Sequence, residues 1–426
     1  MSKFASVIRR NKLIDTLFVL RGNARTCLYL EPLWGVPNNL FMPLSAVYMV
    51  ALGLSQVQIG LVASIYLLSQ MFASLISGAV TDRLGRRVTV MLFDILGWII
   101  PFILWMNARG FAWFAVAAAF NGFWRAAETS FGLLMVEDTP HNQLVSIYAL
   151  TSIAGLLAGF VSPLTSVLVS NFSLIVTMRG LYVFALLCMI VLIVIRHFNT
   201  QETSVGKKRR EELAGKPFFT SMRGSGRVLR QMFSNKPLMM VLGMMSCVMV
   251  IRSALENFWP LLLTGRLGIS PAALPLLSAL RSLGMLACFF LLAPRLSPQR
   301  FFKPILLGLS LLAVLHLALF VLPPGLSFMV FPGVLAEALA FSMMIPLFSS
   351  LQMLLLEKTE RARMFGFSLA LCLLVTSPFG ALNGLLSRLY LPLPMLLSML
   401  LAILAMVFLG KLHHEMAGRS LFEAEG

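Results

Sequence analysis

The sequence predicts an all-α membrane protein with twelve transmembrane helices, arranged as two bundles of six. Of the 426 residues, 58% are hydrophobic and only 12% are charged, whereas a soluble domain has about 25% charged residues. A soluble chain of this length cannot bury so much apolar surface in its own core. The protein is therefore expected to lie in lipid.

Twelve apolar runs are each long enough to cross a bilayer, which takes about 20 apolar residues. Their expected bounds are 25–51, 57–79, 88–107, 111–135, 143–169, 175–196, 237–263, 271–293, 303–322, 327–356, 364–389 and 392–411.

The formal net charge of +17 is unevenly distributed. Basic residues concentrate in the N-terminal stretch and in the turns after the second, eighth and tenth runs, while the other side has only Arg109, Arg179, Arg266 and Arg388, at most one in each loop. This bias places both termini in the cytoplasm and explains the charge without nucleic-acid binding. The short outer loops and the lack of a recognisable targeting signal favour a bacterial inner membrane.

Residues 197–236 interrupt the apolar pattern with the charged run KKRREE and divide the chain into three parts. Residues 1–196 form the first bundle, residues 197–236 a cytoplasmic linker, and residues 237–426 the second bundle with a short tail. The periodicity of 217–234 predicts an amphipathic helix on the inner membrane face. Residues 200–216 fit either a helix of this kind or a solvated linker.

The two bundles contain matching sequence signals in the same order. Glu137 and Thr139 align with Glu357 and Thr359, Ser162-Pro163 with Ser377-Pro378, and the run LGLS at 52–55 with LGIS at 267–270. Four correspondences in order indicate a parallel internal duplication.

A dense charged segment, GAVTDRLGRR at Gly78–Arg87, separates the second and third runs. It resembles the signature loop of the major facilitator superfamily, Gly-x-x-x-Asp-Arg-x-Gly-Arg-Arg. The residues in register are Gly78, Asp82, Arg83, Gly85, Arg86 and Arg87. The corresponding loop of the second half, PRLSPQR from Pro294, lacks the acid.

The resemblance implies two bundles related by a pseudo-twofold axis, with the substrate between them near the midplane. It also implies that helices 1, 4, 7 and 10 line the cavity and that the motif forms a cytoplasmic gate. In that gate Arg86 would pair with Glu137 or Asp138. Asp82 would cap or pair toward the second half near helix 11, and Gly78 and Gly85 would allow close backbone approach.

Charged residues deep in a membrane are costly and usually functional. The candidates for proton or substrate handling are Glu31, Arg125, Glu128, Arg252, Glu256, Arg281 and Glu337. Arg125 with Glu128, and Arg252 with Glu256, are spaced to pair on one helix face. Glu31 is the leading proton carrier and Glu337 the second, because neither has an arginine three or four residues away. Asp94 and His316 are expected to be structural.

Polar and aromatic residues beside these charges are candidates for the substrate cavity: Trp34, Asn38, Asn39, Asn121, Trp124, Asn257 and Trp259. Pro32 and Pro37 should bend or unwind the first helix. Tryptophan with asparagine suits a sugar, tryptophan with a carboxylate suits an organic cation, and arginine suits an anion. The sequence does not separate these three classes.

These features predict a secondary active transporter that moves a small organic solute, either a sugar-like metabolite or a drug-like compound, coupled to protons as a symporter or antiporter. The segment GFVSPLTS lacks the glycine-rich stretch typical of drug antiporters, which weakens the prediction that the solute is a drug-like compound. A lipid flippase of the same fold and a non-transporting membrane sensor are the alternatives. The histidines and cysteines show no metal or nucleophile spacing, so we expect neither an enzyme nor a cofactor. The expected partners are a small-molecule solute, protons and the bilayer, without nucleic acid, for a monomer.

Overall fold

The computed structural model describes residues 19–215, 225–292, 296–357 and 360–417, which are predominantly helical and contain no strand. The basic N-terminal stretch, residues 217–224 of the predicted amphipathic helix, Pro294 of the second-half loop and Thr359 lie outside the described residues.

Ten helical segments of the described chain are long and apolar enough to span a membrane. They are Gln56–Leu84, Arg86–Met106, Ser146–Asn171, Leu174–Asn199, Lys236–Gly265, Pro271–Leu292, Phe302–Val321, Pro324–Leu355, Arg363–Leu389 and Leu393–Met416. They coincide with ten of the twelve apolar runs.

The first apolar run is helical but interrupted. Helix Gly22–Phe41 continues through Pro32 and Pro37, so of the two expected effects, bending or unwinding, unwinding does not occur there. The interruption comes instead at the 3₁₀ turn Met42–Leu44, which contains Pro43 and precedes helix Ser45–Ala51.

The fourth apolar run divides into helices Phe111–Asn121 and Trp124–Val136. At the break, a side chain on Gly122 would collide with Ser69 of the neighbouring helix. Gly122 therefore permits a backbone approach that a larger residue would prevent. Neither this run nor the first forms one helix that is both long and apolar enough to span a membrane, so the count of twelve remains a prediction.

Local signals explain where several helices begin. The Ser55 hydroxyl accepts from the backbone N–H of Gln58, while the Gln58 side chain accepts from the Ser55 N–H, forming a capping box for helix Gln56–Leu84. Ser173 and Asn235 likewise cap helices Leu174–Asn199 and Lys236–Asn257.

Most of the charged motif is helical. Helix Gln56–Leu84 extends five residues beyond the predicted end at 79, and the turn consists of Gly85, whose φ is +88°. Helix Arg86–Asp94 follows at once and leads through a π-helical segment, Ile95–Ile99, into helix Ile100–Met106.

Two helices form the described part of the linker. Helix Ser204–Leu213 packs against helix Gln56–Leu84 beside the motif. In helix Ser225–Ser234, Val228 and Met232 are buried against the second half, whereas Arg227 and Arg230 are exposed. The charged segment at 204–213 is thus a docked helix.

The halves before and after the linker meet from the end of the bundle opposite the motif to its middle, where Leu67 and Met71 pack against Ala370 and Leu373. Helix Gln56–Leu84 packs closely on helix Arg361–Leu389, with Gly60 against the backbone of Gly380 and Gly384. Small residues permit such close packing of membrane helices.

A side chain of the first half also inserts into a helix of the second half at this interface. The Ser64 hydroxyl donates to the carbonyl of Ser377 at 2.6 Å and accepts from the N–H of Ala381 at 2.8 Å. On the other flank, the Ser162 hydroxyl donates to the carbonyl of Pro275 at 2.8 Å. These bonds join the halves at the end away from the motif.

Candidate functional site

Arg125 and Glu128 form the ion pair that their spacing predicts. Arg125 Nη2 also donates to Gln70 Oε1 at 2.8 Å, and its guanidinium lies 4.5 Å from the Trp124 ring centre. Trp124 Nε1 in turn donates to the Tyr66 hydroxyl at 2.9 Å. Helix Gln56–Leu84, which the family pattern does not include among the cavity helices, therefore supplies Tyr66 and Gln70 to this cluster.

Arg252 and Glu256 also pair as predicted, with Arg252 Nε 2.9 Å from Glu256 Oε1. Both side chains remain substantially exposed to the space around them, 62% and 36% respectively. Arg252 also lies within electrostatic range of Tyr66, in the first half, and of Glu337, in its own half.

Glu337 is paired across helices. Its carboxylate lies 2.9 Å from Arg281 Nη2, and the Arg281 guanidinium lies 5.2 Å from the Trp259 ring centre. Spacing along one helix could not predict this partner, because Arg281 and Glu337 come from different helices.

A cavity of about 430 Å³ lies within the first half. Its wall includes Glu31, Trp34, Asp94, Trp98, Trp124 and Arg196, and we call it the Glu31 cavity. Its volume is within the range of small-molecule pockets, roughly 300–1,000 Å³. Glu128 is also at its wall, so the cavity adjoins the Arg125–Glu128 pair.

Asp94 forms a buried ion pair with Arg196, and both side chains are 9% exposed. Asp94 was expected to be structural, and besides this pairing both residues lie in the wall of the Glu31 cavity. Sequence reasoning missed Arg196 altogether. A signal was present in the sequence: Arg196 is the last residue of the sixth predicted run and has no acid close to it along the chain, which indicates a partner on another helix.

Glu31 differs from the other acids of this region. Glu128, Asp94, Glu256 and Glu337 each pair with an arginine. Within the described residues, Glu31 has no ion-pair or hydrogen-bond partner, although Arg196 is close enough to act on it electrostatically.

The structure places the seven predicted cavity residues in three different settings. Trp34 and Trp124 line the Glu31 cavity. Three amide side chains instead donate to backbone carbonyls at 2.7–2.9 Å: Asn39 to Gly35, Asn121 to Gly97 and Asn257 to Ser253. Asn121 is buried between helices, where the π-helical segment contains its acceptor. Asn38 is half-buried on the first helix, and Trp259 contacts Arg281 outside this cavity.

At the motif, Arg86 is buried and joins two acids. Its Nε and Nη2 donate to the two carboxylate oxygens of Glu137, each at 3.0 Å, and Nη1 lies 3.1 Å from Asp82. Asp82 was expected to reach toward the second half, but the structure pairs it with Arg86 inside the first half.

The motif glycines are not equivalent. Gly85 has the positive φ that favours glycine, and a side chain there would collide with Glu202. A side chain on Gly78 would meet nothing within 4 Å, so the expected close approach at Gly78 was wrong.

The linker completes this cluster. Glu202 accepts from the backbone N–H groups of Arg86 and Arg87 at 2.9 and 3.1 Å, capping the helix that starts there. Asp138 accepts from Ser204 at the start of the linker helix, and Thr203 donates to Glu137.

The remaining motif arginines are oriented differently. Arg87 Nε donates to the carbonyl of His197 at 2.9 Å, which ties the motif to the end of helix Leu174–Asn199. Arg83 is half-buried. Sequence reasoning missed Glu202, because nothing in the linker sequence shows that it folds back onto the motif.

Ten helical segments able to span a bilayer, with charged pairs and an aromatic cavity among the described residues, define a polytopic helical membrane protein. The family model of the major facilitator superfamily matches residues 35–381, and the chain belongs to that family. A search of curated protein sequences finds no match.

Solved structures of the same fold resemble the chain at low sequence identity. The nucleoside transporter NupG matches with a TM-score of 0.70 and 13% identity, over 92% of this chain and 100% of that one. A bacterial homologue of the human lysosomal transporter Spinster, in an inward-facing and unoccupied conformation, matches with a TM-score of 0.67 and 15% identity, over 92% and 96%. A POT family transporter in complex with 5-aminolevulinic acid gives 0.65 and 15%, over 90% and 94%.

Proposed function

We propose that this protein is a secondary active transporter that moves a small organic solute across the bacterial inner membrane by alternating access, coupled to protons. The observation that carries the proposal is Glu31. It lies at the wall of the cavity and is the one acid of this region without an arginine partner among the described residues. A carboxylate in that position can accept a proton without breaking an ion pair.

The distribution of contacts between the halves supports alternating access. The bonds from Ser64 and Ser162 to the other half lie at the end away from the motif. Transporters with two repeated bundles open one side of a central site while the other is closed. The present arrangement corresponds to a state that is closed away from the motif, and both termini would lie in the cytoplasm on the motif side.

Twelve spans and a pseudo-twofold relation between the halves form part of the proposal. The repeated runs LGLS and LGIS support it, because Gly53 and Gly268 both have positive φ, +84° and +67°. Ser55 and Ser270 both accept bonds from backbone N–H groups at the following helix starts. The Ser162 hydroxyl lies 2.8 Å from the carbonyl oxygen three residues earlier, and the Ser377 hydroxyl donates to the equivalent carbonyl at 3.0 Å.

The test is solute-driven proton flux in proteoliposomes that contain a pH-sensitive dye, with a panel of sugars, organic cations and organic anions. Glu31→Gln should abolish solute-driven proton movement, because the amide cannot take up and release a proton. Glu212→Gln is the matched control, because Glu212 is an exposed linker acid that pairs only with exposed Arg209. Wild-type proton flux in Glu31→Gln would contradict the assignment of Glu31.

The alternatives give other results. A flippase of the same fold would move a fluorescent phospholipid between leaflets without moving the solutes of the panel. A non-transporting sensor would move neither. Either result would overturn the proposal of solute transport.

A further inference from the structure

Three tryptophans form a continuous wall of the Glu31 cavity. The Trp34 and Trp98 ring centres are 5.9 Å apart in an edge-to-face contact, and those of Trp98 and Trp124 are 6.2 Å apart. All three belong to the cavity wall, together with Glu31. Indole faces attract cations that lie within about 6 Å of the ring centre.

The charges of the cavity and of the neighbouring ion pairs do not balance. In the described part of the chain this set contains four arginines, each paired with one acid: Arg125 with Glu128, Arg196 with Asp94, Arg252 with Glu256, and Arg281 with Glu337. Glu31 is the fifth acid and has no such partner. The surplus charge is therefore negative and lies at Glu31.

This balance separates the solute classes that the sequence left open. An anion would find each of these four arginines already bonded to a carboxylate. A sugar is usually held by several polar side chains, but no asparagine or glutamine belongs to the described wall of the Glu31 cavity. A neutral solute would leave the Glu31 charge to be compensated by a proton, whereas a cation would compensate the carboxylate directly.

We infer that the Glu31 cavity binds an organic monocation, with the Glu31 carboxylate compensating its charge and the Trp34, Trp98 and Trp124 rings enclosing its apolar part. This identification of the solute rests on the proposed transport function. The geometry requires one cationic group attached to an apolar or aromatic body that fits a cavity of about 430 Å³.

A proton on Glu31 and a bound cation exclude each other, because each neutralises the same carboxylate. The other titratable and charged groups at the cavity wall are Cys27, Asp94, Glu128, Tyr148 and Arg196. Asp94 and Glu128 are held in ion pairs, so Glu31 is the acid whose charge is available to a cation.

The probe is radiolabelled tetraphenylphosphonium, a lipophilic monocation, in equilibrium binding to the full-length protein in lipid nanodiscs. Tetraphenylborate, an anion of nearly the same size and shape, is the matched competitor. Tetraphenylphosphonium should bind saturably, and unlabelled cation but not tetraphenylborate should displace it. Glu31→Gln should weaken binding roughly tenfold or more, because a bond to a charged group is lost.

Further variants separate a specific effect from loss of the fold. Glu31→Asp retains the charge and should bind more tightly than Glu31→Gln. Trp34→Leu removes one ring and should weaken binding by a few-fold, as expected for one cation–π contact. Glu212→Gln in the exposed linker should bind as the wild type does. Each variant is first compared with the wild type for its thermal unfolding temperature in nanodiscs.

Absence of saturable binding, equal displacement by tetraphenylborate, or unchanged affinity in both Glu31→Gln and Trp34→Leu would overturn the inference. The two proposals fail separately. Flux of sugars or anions without tetraphenylphosphonium binding would overturn the cation site and leave the transporter standing. Binding that depends on Glu31 without flux of any solute would support the cation site and overturn the proposed transport.

Discussion

Arg86 and Glu137, 51 residues apart in the sequence, are joined by two parallel hydrogen bonds of 3.0 Å. The Arg86 side chain is 4% exposed and that of Glu137 is 11% exposed. This planar, charge-assisted contact fixes the helix that follows the motif against the end of helix Trp124–Val136.

Replacement of Arg86 by leucine should lower the free energy of unfolding by about 3–5 kcal/mol, because it leaves the Glu137 carboxylate buried and unpaired. Arg209→Leu is the control, since its pair with Glu212 is exposed and should contribute at most about 1 kcal/mol. Denaturant unfolding in mixed micelles measures both. Equal losses in the two variants would show that burial of the Arg86 pair is unimportant.

Replacement by alanine should affect the stability of the protein differently at the two motif glycines. Gly85→Ala places a side chain at φ +88° and against Glu202, so we expect it to destabilise the protein by about 1–3 kcal/mol. Gly78→Ala meets nothing within 4 Å in a helix and should be neutral or slightly stabilising. Thermal unfolding in nanodiscs tests the difference, and a similar loss in both variants would contradict it.

Gly384→Ala should disfavour the state in which the halves are closed away from the motif. The added carbon would lie 2.7 Å from the Gln56 carbonyl oxygen and 3.0 Å from the Val57 Cα atom, which forces the helices apart. Spin labels at positions 61 and 385 should therefore report a longer distance in this variant. Gly180→Ala is the control, because its side chain would meet nothing within 4 Å. An unchanged distance in Gly384→Ala would refute the prediction.

The Asp94–Arg196 pair should show strong coupling. Asp94→Asn and Arg196→Met each leave one buried charge without its partner, and each should cost about 3–5 kcal/mol. The double variant removes both charges and should be more stable than the sum of the two single changes predicts. A complete set of four unfolding curves provides the measurement, and simple additivity would show that the two side chains act independently.

The sequence was most informative where the geometry is local. Arg125 with Glu128 and Arg252 with Glu256 could be paired from their spacing, because residues three or four apart lie on the same helix face. Ten spans could be predicted because a run of about 20 apolar residues is long enough to cross a bilayer as a helix. The Arg86–Glu137 contact could be proposed only because the motif resembles a family in which that pairing recurs.

Contacts between distant segments could not be predicted in this way. The partners of Asp94 and Glu337 lie on other helices, and Glu202 comes from the linker. Such distances depend on how helices pack, which no spacing along the chain encodes. The division of the fourth run at Gly122 likewise depends on the approach of Ser69 from a neighbouring helix.

The Ser64 hydroxyl lies between the Ser377 carbonyl and the Ala381 N–H, the two groups that an undisturbed α-helix would bond to each other. When the halves separate, those backbone groups can bond directly, and neither is left unsatisfied in the membrane. Separation at this point therefore exchanges hydrogen bonds within the protein. In the proposed alternating-access cycle this contact would open without leaving a backbone polar group unpaired, while its geometry in the closed position defines how the two helices sit.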